Sequence, residues 1–433
     1  MAEPESIAHP DALEALRNPY VRKFAIGKMA SSMGAQIITV AIGWELYERT
    51  GDPWALGLVG LFEILPVLFL MLPSGNIADR FIRRNVAMAA YATLALAALG
   101  LTAISYTEAP ISLVYGLLVV IGAARCLASP SVESLLPQII PRRVFGNAQA
   151  WLVSSGQISS IGGPALGGLL IWLLGAATWT YLIAAVMEII FVALLATFPP
   201  IRAERTRERQ TVKDLFAGFA FIRRNPVFLA AITLDLFGVM LGGAVALLPI
   251  YAKDILQVGP EGLGMLRAAP ALGALTAALL VTRLPPFRRP GVVLLWMVAG
   301  FGVASAVFGV STNVVLSLVC LYLTGAFDSV SMVIRGTLQQ MITPDHLRGR
   351  VLAVEYTFIG FSNEFGTFRA GAMASYFGPV LAVAGGGIGT IAVVVVVALV
   401  WPALARIGPL TTLRPAESEL SPAERAAAAA SAP

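Results

Sequence analysis

Long apolar stretches alternate with short polar segments along almost the whole chain. Each apolar stretch has close to 20 residues, the length at which an α-helix crosses the hydrocarbon core of a bilayer. The pattern predicts an all-α membrane protein with twelve transmembrane helices. The predicted spans are 22–47, 54–77, 85–106, 111–137, 147–174, 178–198, 227–251, 262–283, 291–310, 313–337, 350–376 and 379–404.

One polar stretch, Pro199–Asn225, leaves six predicted spans on either side. Its second half carries apolar residues at helical spacing, which predicts an amphipathic helix suited to a membrane surface. These residues are Val212, Leu215, Phe216, Phe219 and Ile222. Its first half is equally consistent with an ordinary solvated linker. The predicted units are an N-terminal six-helix bundle, a cytoplasmic linker, a C-terminal six-helix bundle and a disordered cytoplasmic tail, over residues 1–198, 199–225, 226–406 and 407–433.

The two halves share a weak internal repeat. Arg17-Asn18-Pro19 recurs as Arg224-Asn225-Pro226, and Gly122-Ala123 recurs as Gly325-Ala326. Because the register holds over whole segments, we expect two halves with parallel structures.

The composition and the placement of charge give the orientation. The chain is 57% hydrophobic and only 13% charged, which is far more apolar than a water-soluble fold requires. Most of its 30 Lys and Arg residues lie in the terminal, linker and loop segments of one side. The positive-inside rule predicts that both termini and the linker are cytoplasmic. The basic balance therefore reflects topology, and no nucleic-acid partner is expected.

The residues that commonly carry enzyme chemistry are sparse. Cys126 and Cys320 lie inside predicted spans and are expected to be packing residues, while His9 and His346 are the only histidines. No His/Cys cluster has metal-ligand spacing, and neither a P-loop nor a nucleophile elbow occurs. We therefore expect no cofactor, no metal and no enzymatic activity.

The loop between the second and third spans reads GNIADRFIRR, from Gly75 to Arg84. It resembles the cytoplasmic loop signature G-x-L-a-D-R-x-G-R-R of the major facilitator superfamily. The matching residues are Gly75, Asp79, Arg80, Arg83 and Arg84, whereas Ile77 and Ile82 replace the leucine and the second glycine. Twelve spans, a repeat of six and a charged central linker fit the same family across almost the whole chain.

This resemblance implies a gating role for the loop. Asp79 would face the N-terminus of span 11, where a helix stabilises a carboxylate, and Arg83 would pair with Glu133 on span 4. The alternative is a plain positively charged cytoplasmic loop.

Span 5 contains a run of small residues, Gly162-Gly163-Pro164-Ala165-Leu166-Gly167-Gly168. It resembles the core of the antiporter motif in drug-efflux members of the superfamily, and Gly163, Pro164, Gly167 and Gly168 carry the match. The alternative is a helix-packing face with no bearing on transport direction. In overall pattern the chain resembles the superfamily's enterobactin-exporter and macrolide-efflux branch.

Four charged residues lie inside predicted spans at similar depth, in one layer. They are Lys28, Arg125, Asp235 and Asp328, on spans 1, 4, 7 and 10, which the resemblance implies line a central cavity. Arg125 and Asp328 are repeat equivalents and are expected to pair across the two halves. The alternative is a set of structural ion pairs that release no proton.

Gln36 and Glu364 are further candidates for the substrate or proton path. The remaining polar positions inside spans, to which no role is assigned, are Glu45, Glu63, Glu188, Arg267, Glu355 and Arg369. Glu188 is the least expected of these because it stands alone in an apolar span.

These observations predict a secondary active transporter that works by alternating access. The preferred function is proton-coupled export, by antiport, of an amphipathic small molecule such as a drug or a siderophore. The alternatives are a lipid or lysophospholipid transporter of the same fold, a passive channel, or a receptor-like scaffold. The expected partners are the substrate, protons and membrane lipids. The expected location is a bacterial cytoplasmic (inner) membrane, as a monomer.

Overall fold

The computed structural model describes residues 14–140, 142–200 and 212–409. The predicted disordered tail therefore lies outside the described residues, except for its first three positions. The described part of the first half contains seven α-helices: α1 (Glu14–Arg17), α2 (Pro19–Thr50), α3 (Pro53–Arg80), α4 (Arg83–Tyr106), α5 (Ser112–Ile139), α6 (Phe145–Leu174) and α7 (Ala177–Ala196). A 3-10 turn, Arg142–Val144, precedes α6.

The second half begins with the linker helix. Its helices are α8 (Val212–Arg224), α9 (Pro226–Gly242), α10 (Leu248–Ile250), α11 (Gly259–Val281), α12 (Pro290–Val310), α13 (Val314–Ile342), α14 (Asp345–Phe377), α15 (Pro379–Val400) and α16 (Pro402–Ala405). A 3-10 turn, Val245–Leu247, precedes α10, and a π-helical turn, Tyr251–Ile255, follows it.

Twelve segments of the described chain are long enough to cross a membrane. Eleven of them are also strongly apolar, the segment Pro226–Ile255 counting as one. The twelfth is α14, whose 33 residues include Glu355, Glu364 and Arg369 and are therefore more polar. The helix ends agree with the predicted spans to within a few residues at most positions, because local apolar length decides where a transmembrane helix can lie.

The repeat seen in the sequence is a structural repeat. Asn18 caps α2 by accepting a hydrogen bond from the amide of Tyr20 (2.9 Å), and Pro19 begins the helix. Asn225 caps α9 in the same way, through the amide of Phe228 (3.2 Å), and Pro226 begins that helix. An asparagine cap followed by proline is a strong local start signal, so each half opens with the same device.

The helices pair in the same way in both halves. In the first half α2 packs on α6 and α7, α3 on α5, and α4 on α5 and α7. In the second half α9 packs on α14 and α15, α11 on α13, and α12 on α13 and α15. The halves then meet where α6 crosses α11 and where α3 crosses α14. These two crossings are equivalent under the repeat.

We call the side of the molecule that carries α1 and α8 the linker face, and the opposite side, with the short connections, the loop face. Glycines bring the two halves together toward the loop face. A Cβ atom on Gly168 of α6 would clash with Pro260 at the start of α11, and one on Gly264 would lie 2.7 Å from the carbonyl oxygen of Pro164. At the other crossing, a Cβ atom on Gly57 would lie 3.0 Å from the carbonyl oxygen of Phe368. Only residues without a side chain permit these approaches.

The linker helix α8 packs on the start of α14. A Cβ atom on Gly218 would lie 2.6 Å from the carbonyl oxygen of Arg350, while Phe221 and Ile222 are buried in the core of the second half. Phe216 and Phe219 are exposed. The amphipathic helix is therefore an added element of the second half, with one apolar face left open.

The seventh span differs from its prediction as one helix over 227–251. The α-helix α9 ends at Gly242, and Gly243 has a non-helical backbone with φ −64° and ψ 84°. Arg369 of α14 satisfies the freed carbonyls by donating to Met240 (3.0 Å) and Leu241 (2.6 Å). Hydrophobic length alone does not reveal such a break, because the group that satisfies the freed carbonyls comes from another helix.

Candidate transport site

A cavity lies between the two halves, beside the crossing of α3 and α14. Most of its wall is aliphatic, with hydroxyl groups and three charged side chains among the lining residues. The lining is Ile38, Thr39, Ile42, Gly43, Leu56, Val59, Glu63, Arg125, Ala246, Pro249, Arg267 and Thr367. The cavity holds about 40 Å³, so in this conformation it is a small apolar space at which polar groups converge.

The charges of the cavity come from both halves. Glu63 of α3 and Arg125 of α5 form an ion pair of 3.0 Å, with 17% and 39% of their side chains exposed. Arg267 of α11 is close enough to Glu63 for a charge interaction. Glu364 of α14 interacts in the same way with Glu63 and Arg125. Two acids and two bases on four helices thus converge at one level, and we call them the cavity cluster.

The cavity cluster corrects the expected pairing of Arg125 with Asp328. That expectation is wrong, because Arg125 bonds Glu63 within its own half. Asp328 lies 3.8 Å from Arg335, seven residues further along α13, and Arg335 pairs closely with Asp235 of α9. The depth of a residue along its helix does not fix which way its side chain points.

Asp235 and Asp328 therefore share one guanidinium group inside the second half. Both acids line a small pocket between α9, α12 and α13, together with Phe301 and Phe327. The Arg335 side chain is only 8% exposed, whereas that of Asp328 is 41% exposed. This group is formed by the second half alone, and it does not include Arg125.

Lys28 and Gln36 of α2 are not among the residues that line the described cavity. The Lys28 ammonium donates to the hydroxyl of Tyr91 (3.1 Å), between α2 and α4. Gln36 packs on the small-residue motif of α6, where a Cβ atom on Gly163 would lie 2.6 Å from the Cβ atom of Gln36.

The small-residue motif of α6 serves two crossings at once. Gly163 and Gly167 approach α2, at Gln36 and Ile37, while Pro164 and Gly168 approach α11. The motif therefore joins the first half internally and also joins it to the second half. Close packing accounts for each of its glycines.

The predicted gating loop is described only in part. Gly75, Asp79 and Arg80 fall in α3, and their side chains lie outside the described set, so the role of Asp79 stays a prediction. Arg84 donates to the carbonyl oxygen of Phe198 (2.6 Å), which links the start of α4 to the end of α7. Glu133 is exposed, and its pairing with Arg83 also stays a prediction.

The loop face is closed by polar and aromatic contacts between the halves. Tyr47 at the end of α2 donates a short hydrogen bond to Asp254, and the ammonium of Lys253 lies 5.7 Å from the centre of the Tyr47 ring. Trp54 of α3 packs edge-on against Phe368 of α14, with ring centres 5.6 Å apart. These contacts join the two halves near the loop face.

Comparison with known sequences identifies the family. The sequence profile of the transmembrane secretion effector family, within the major facilitator superfamily, matches residues 11–408. The chain belongs to this family. Its relatives include the enterobactin exporter EntS of Shigella dysenteriae serotype 1, 26% identical over 384 residues, which cover 88% of this chain and 92% of the relative. EntS of Escherichia coli O139:H28 is 26% identical over 390 residues, or 90% and 93% of the two chains.

Solved structures of major facilitator transporters share the fold. A point mutant of the nucleoside transporter NupG superposes with a TM-score of 0.70 at 14% identity, over 89% of this chain and 99% of that chain. A bacterial homologue of the human lysosomal transporter Spinster, in an inward-facing and unoccupied conformation, gives 0.69 at 15% identity, over 92% and 97%. These likenesses confirm the twelve-helix major facilitator fold. The family match identifies the chain as a membrane transporter rather than an enzyme.

Sequence reasoning missed two members of the cavity cluster and the base that Asp235 and Asp328 share in the second half. Glu63 and Arg267 were recognised only as polar positions inside spans, and Arg335 received no role. The available signal was their intramembrane charge, since charged groups at such positions usually face a partner or a cavity. To choose among these charged residues, one must know how each helix is rotated about its axis, and only the tertiary structure gives this.

Proposed function

We propose that this transporter is a proton-coupled exporter of an amphipathic small molecule, of the drug or siderophore kind, working by alternating access. The observation that carries the proposal is the cavity cluster, in which Glu63 and Arg125 of one half meet Arg267 and Glu364 of the other. When two bundles rock about a central site, the position of Arg267 and Glu364 relative to the Glu63–Arg125 pair must change.

The cavity lining supports an amphipathic substrate. Aliphatic side chains such as Ile38, Ile42 and Leu56 offer an apolar wall, and Thr39 and the cavity cluster offer hydrogen-bonding groups. A substrate that combines an aromatic or aliphatic body with polar groups would satisfy both. The curated relatives are named as enterobactin exporters, which supports export and a substrate of this kind.

Proton coupling would arise from competition inside the cavity cluster. Glu364 shares its surroundings with a second acid, Glu63, and with the base Arg125, so the charge states of these groups depend on one another. A substrate that takes a position near Arg125 alters that balance and displaces the proton. Binding of substrate and binding of proton thereby exclude each other, as antiport requires.

The orientation comes from the charge rule. With most basic residues on the linker face, that face is cytoplasmic, and the closed loop face is external. Export then requires that substrate enters the cavity from the linker face and leaves through the loop face. The next step is opening of the loop face, with loss of the contacts of Tyr47 and Trp54.

Transport into inverted membrane vesicles tests the proposal. With an interior-acid pH gradient, we expect accumulation of enterobactin or of a lipophilic dye, in preference to a lysophospholipid offered in parallel, and loss of accumulation on addition of an uncoupler. Glu364→Gln should abolish the gradient-driven part because it removes the group that carries the proton. The matched control is Glu48→Gln, which removes an exposed acid near the loop face.

Two results would contradict the proposal. If the uncoupler leaves the flux unchanged, and the probe never accumulates above its concentration outside the vesicles, the pathway is passive. Preference for the lysophospholipid over the other probes would indicate the lipid transporter considered above.

A further inference from the structure

Glu188 is a buried acid that the cavity does not use. It lies in the middle of α7, in a helix whose other residues from Ala177 to Ala196 are uncharged, and it is only 1% exposed. One carboxylate oxygen accepts a hydrogen bond from the hydroxyl of Ser31 on α2 (2.7 Å), and Ser31 is itself only 3% exposed. Burial of a carboxylate this deeply carries a large desolvation cost unless a proton or a cation compensates it.

A neighbouring base is held apart from this acid. Lys28, one turn before Ser31 on α2, donates to the Tyr91 hydroxyl of α4 (3.1 Å) and is close enough to Glu188 for a charge interaction. Acid and base thus each bond a neutral hydroxyl group rather than each other. A proton bound to Glu188 accounts for this arrangement, because it removes the attraction that would otherwise draw the two side chains together.

The charges around Glu188 can be named for each helix packed near it. α2 contributes Lys28, α4 contributes the phenol of Tyr91, and α5 contributes Arg125, which acts on Glu188 at longer range. α6 carries no ionisable side chain between Phe145 and Leu174. Within the described residues, the site therefore holds one acid and two bases, of which Arg125 is already paired with Glu63.

The surrounding packing is tight, so the site is a built feature of the fold. Gly27 and Gly34 flank Ser31 on the same face of α2. Their missing side chains let α2 approach α7, where added Cβ atoms would lie 2.5 Å from the Phe191 ring and 3.2 Å from the carbonyl oxygen of Ala184. A polar pair at the centre of such a contact is costly if it serves packing alone, because apolar residues of similar volume would stabilise the contact better.

We propose that Glu188 is a second proton-binding site, inside the first half and separate from the cavity, with Lys28 as its exchange partner. In the conformation described here Glu188 holds the proton and Lys28 rests on Tyr91. When the proton leaves to water, the carboxylate binds the Lys28 ammonium, and α2 shifts with it. The cavity senses this shift because α2 also supplies Ile38, Thr39 and Ile42 to the cavity wall. The inference rests on the proton coupling proposed above and names a group that carries it.

Infrared difference spectroscopy of the whole protein in lipid nanodiscs tests the site without any substrate. A protonated carboxyl group absorbs apart from a carboxylate, so we compare spectra across the pH range in which protein carboxyl groups titrate. We expect a titrating protonated-carboxyl band that Glu188→Gln removes. Glu45→Gln, a matched substitution of another buried acid of the first half, should leave that band in place. Absence of any band lost with Glu188 would overturn the proposal.

The partner residue is tested in the same experiment. Lys28→Met should move the titration of the Glu188 band to higher pH, because a nearby cation favours the carboxylate. If Lys28 only fills space, Lys28→Met leaves the titration pH of the band unchanged. That result would show that Lys28 is not the partner of Glu188. Thermal unfolding of each variant verifies folding, since glutamine keeps the shape of Glu188 and can still accept from Ser31.

Vesicle transport separates this inference from the proposed function. Glu188→Gln should lose gradient-driven accumulation of the probe that the wild-type protein transports, but retain exchange of labelled for unlabelled probe, which needs no net proton movement. If accumulation is gradient-driven and Glu188→Gln retains it, this inference fails while the proposed function stands. If the gradient drives accumulation of no probe in the wild-type protein, the proposed function fails. The infrared band assigned to Glu188 then still tests whether Glu188 binds a proton.

Discussion

At the scale of single residues, the protein pairs intramembrane charges within each half. Glu63 bonds Arg125 in the first half, and Asp235 bonds Arg335 in the second. Pairs inside a bundle stay together when the bundles rock, so they lower the cost of charge in the membrane at every stage of the cycle. Arg267 and Glu364 of the second half lie close enough to this first-half pair for charge interactions with it.

The Glu63–Arg125 pair can be tested by a double-mutant cycle. Glu63→Gln should destabilise the protein by less than about 3 kcal/mol, the lower limit for a buried pair, because 39% of the Arg125 side chain remains exposed. Arg125→Met together with Glu63→Gln should restore stability relative to either single change, since no charge of this pair is left without its partner. Thermal unfolding in detergent measures both effects. Strict additivity of the two changes would show that the pair contributes no coupling.

At the scale of elements, the crossing of α6 and α11 is set by the absence of side chains. Gly168 meets Pro260 and Gly264 meets Pro164, so the two helix backbones touch where the halves close. Gly57 has the equivalent position where α3 meets α14. The closed loop face therefore depends on small residues, and polar contacts such as that of Tyr47 add to it.

An added methyl group at this crossing should open the loop face. Gly168→Ala is expected to disfavour the closed arrangement by roughly 1–3 kcal/mol, the usual cost of overpacking. Spin labels at Glu48 on α2 and Tyr376 on α14, in a chain without Cys126 and Cys320, report the separation by pulsed electron resonance. We expect a new population at longer distance. Gly156→Ala on the same helix, where a Cβ atom meets open space, is the control; an equal response from both variants would disprove the packing argument.

At the scale of the whole molecule, the two halves are structural repeats that meet through equivalent crossings. α6 meets α11 as α14 meets α3, so the interface has an approximate two-fold relation. One face can open only as the other closes about such an axis, which is the basis of alternating access. The linker helix α8 packs on α14 and so moves with the second half.

The orientation of the molecule is tested by labelling single cysteines in intact cells. Thr107→Cys on the loop face should react with a membrane-impermeant reagent, whereas Arg288→Cys on the linker face should react only after the cells are opened. Both positions are exposed, and Cys126 and Cys320 are replaced beforehand so that no other thiol reacts. The expectation follows from the basic residues of the linker face. The reverse labelling pattern would invert the topology and the direction of transport.

The sequence alone determined the number of spans, the repeat, the starts of many helices and the family. These properties are local: apolar length sets a transmembrane helix, Asn18-Pro19 and Asn225-Pro226 set helix starts, and the signature from Gly75 to Arg84 is contiguous. Intramembrane charges such as Glu63 and Glu188 were also visible in the sequence as costly residues that required an explanation.

Only the tertiary structure decided which of those charges meet. Arg125 and Asp328 were placed at one depth, yet they belong to different groups, because the rotation of α5 and α13 is set by packing against all of their neighbours. The break after Gly242 likewise depends on Arg369, which is distant in sequence and donates to carbonyls that would otherwise be unsatisfied. A pattern of hydrophobic residues fixes where each charged residue lies along its helix axis. Which partner the residue meets depends on the direction in which its side chain points around that axis.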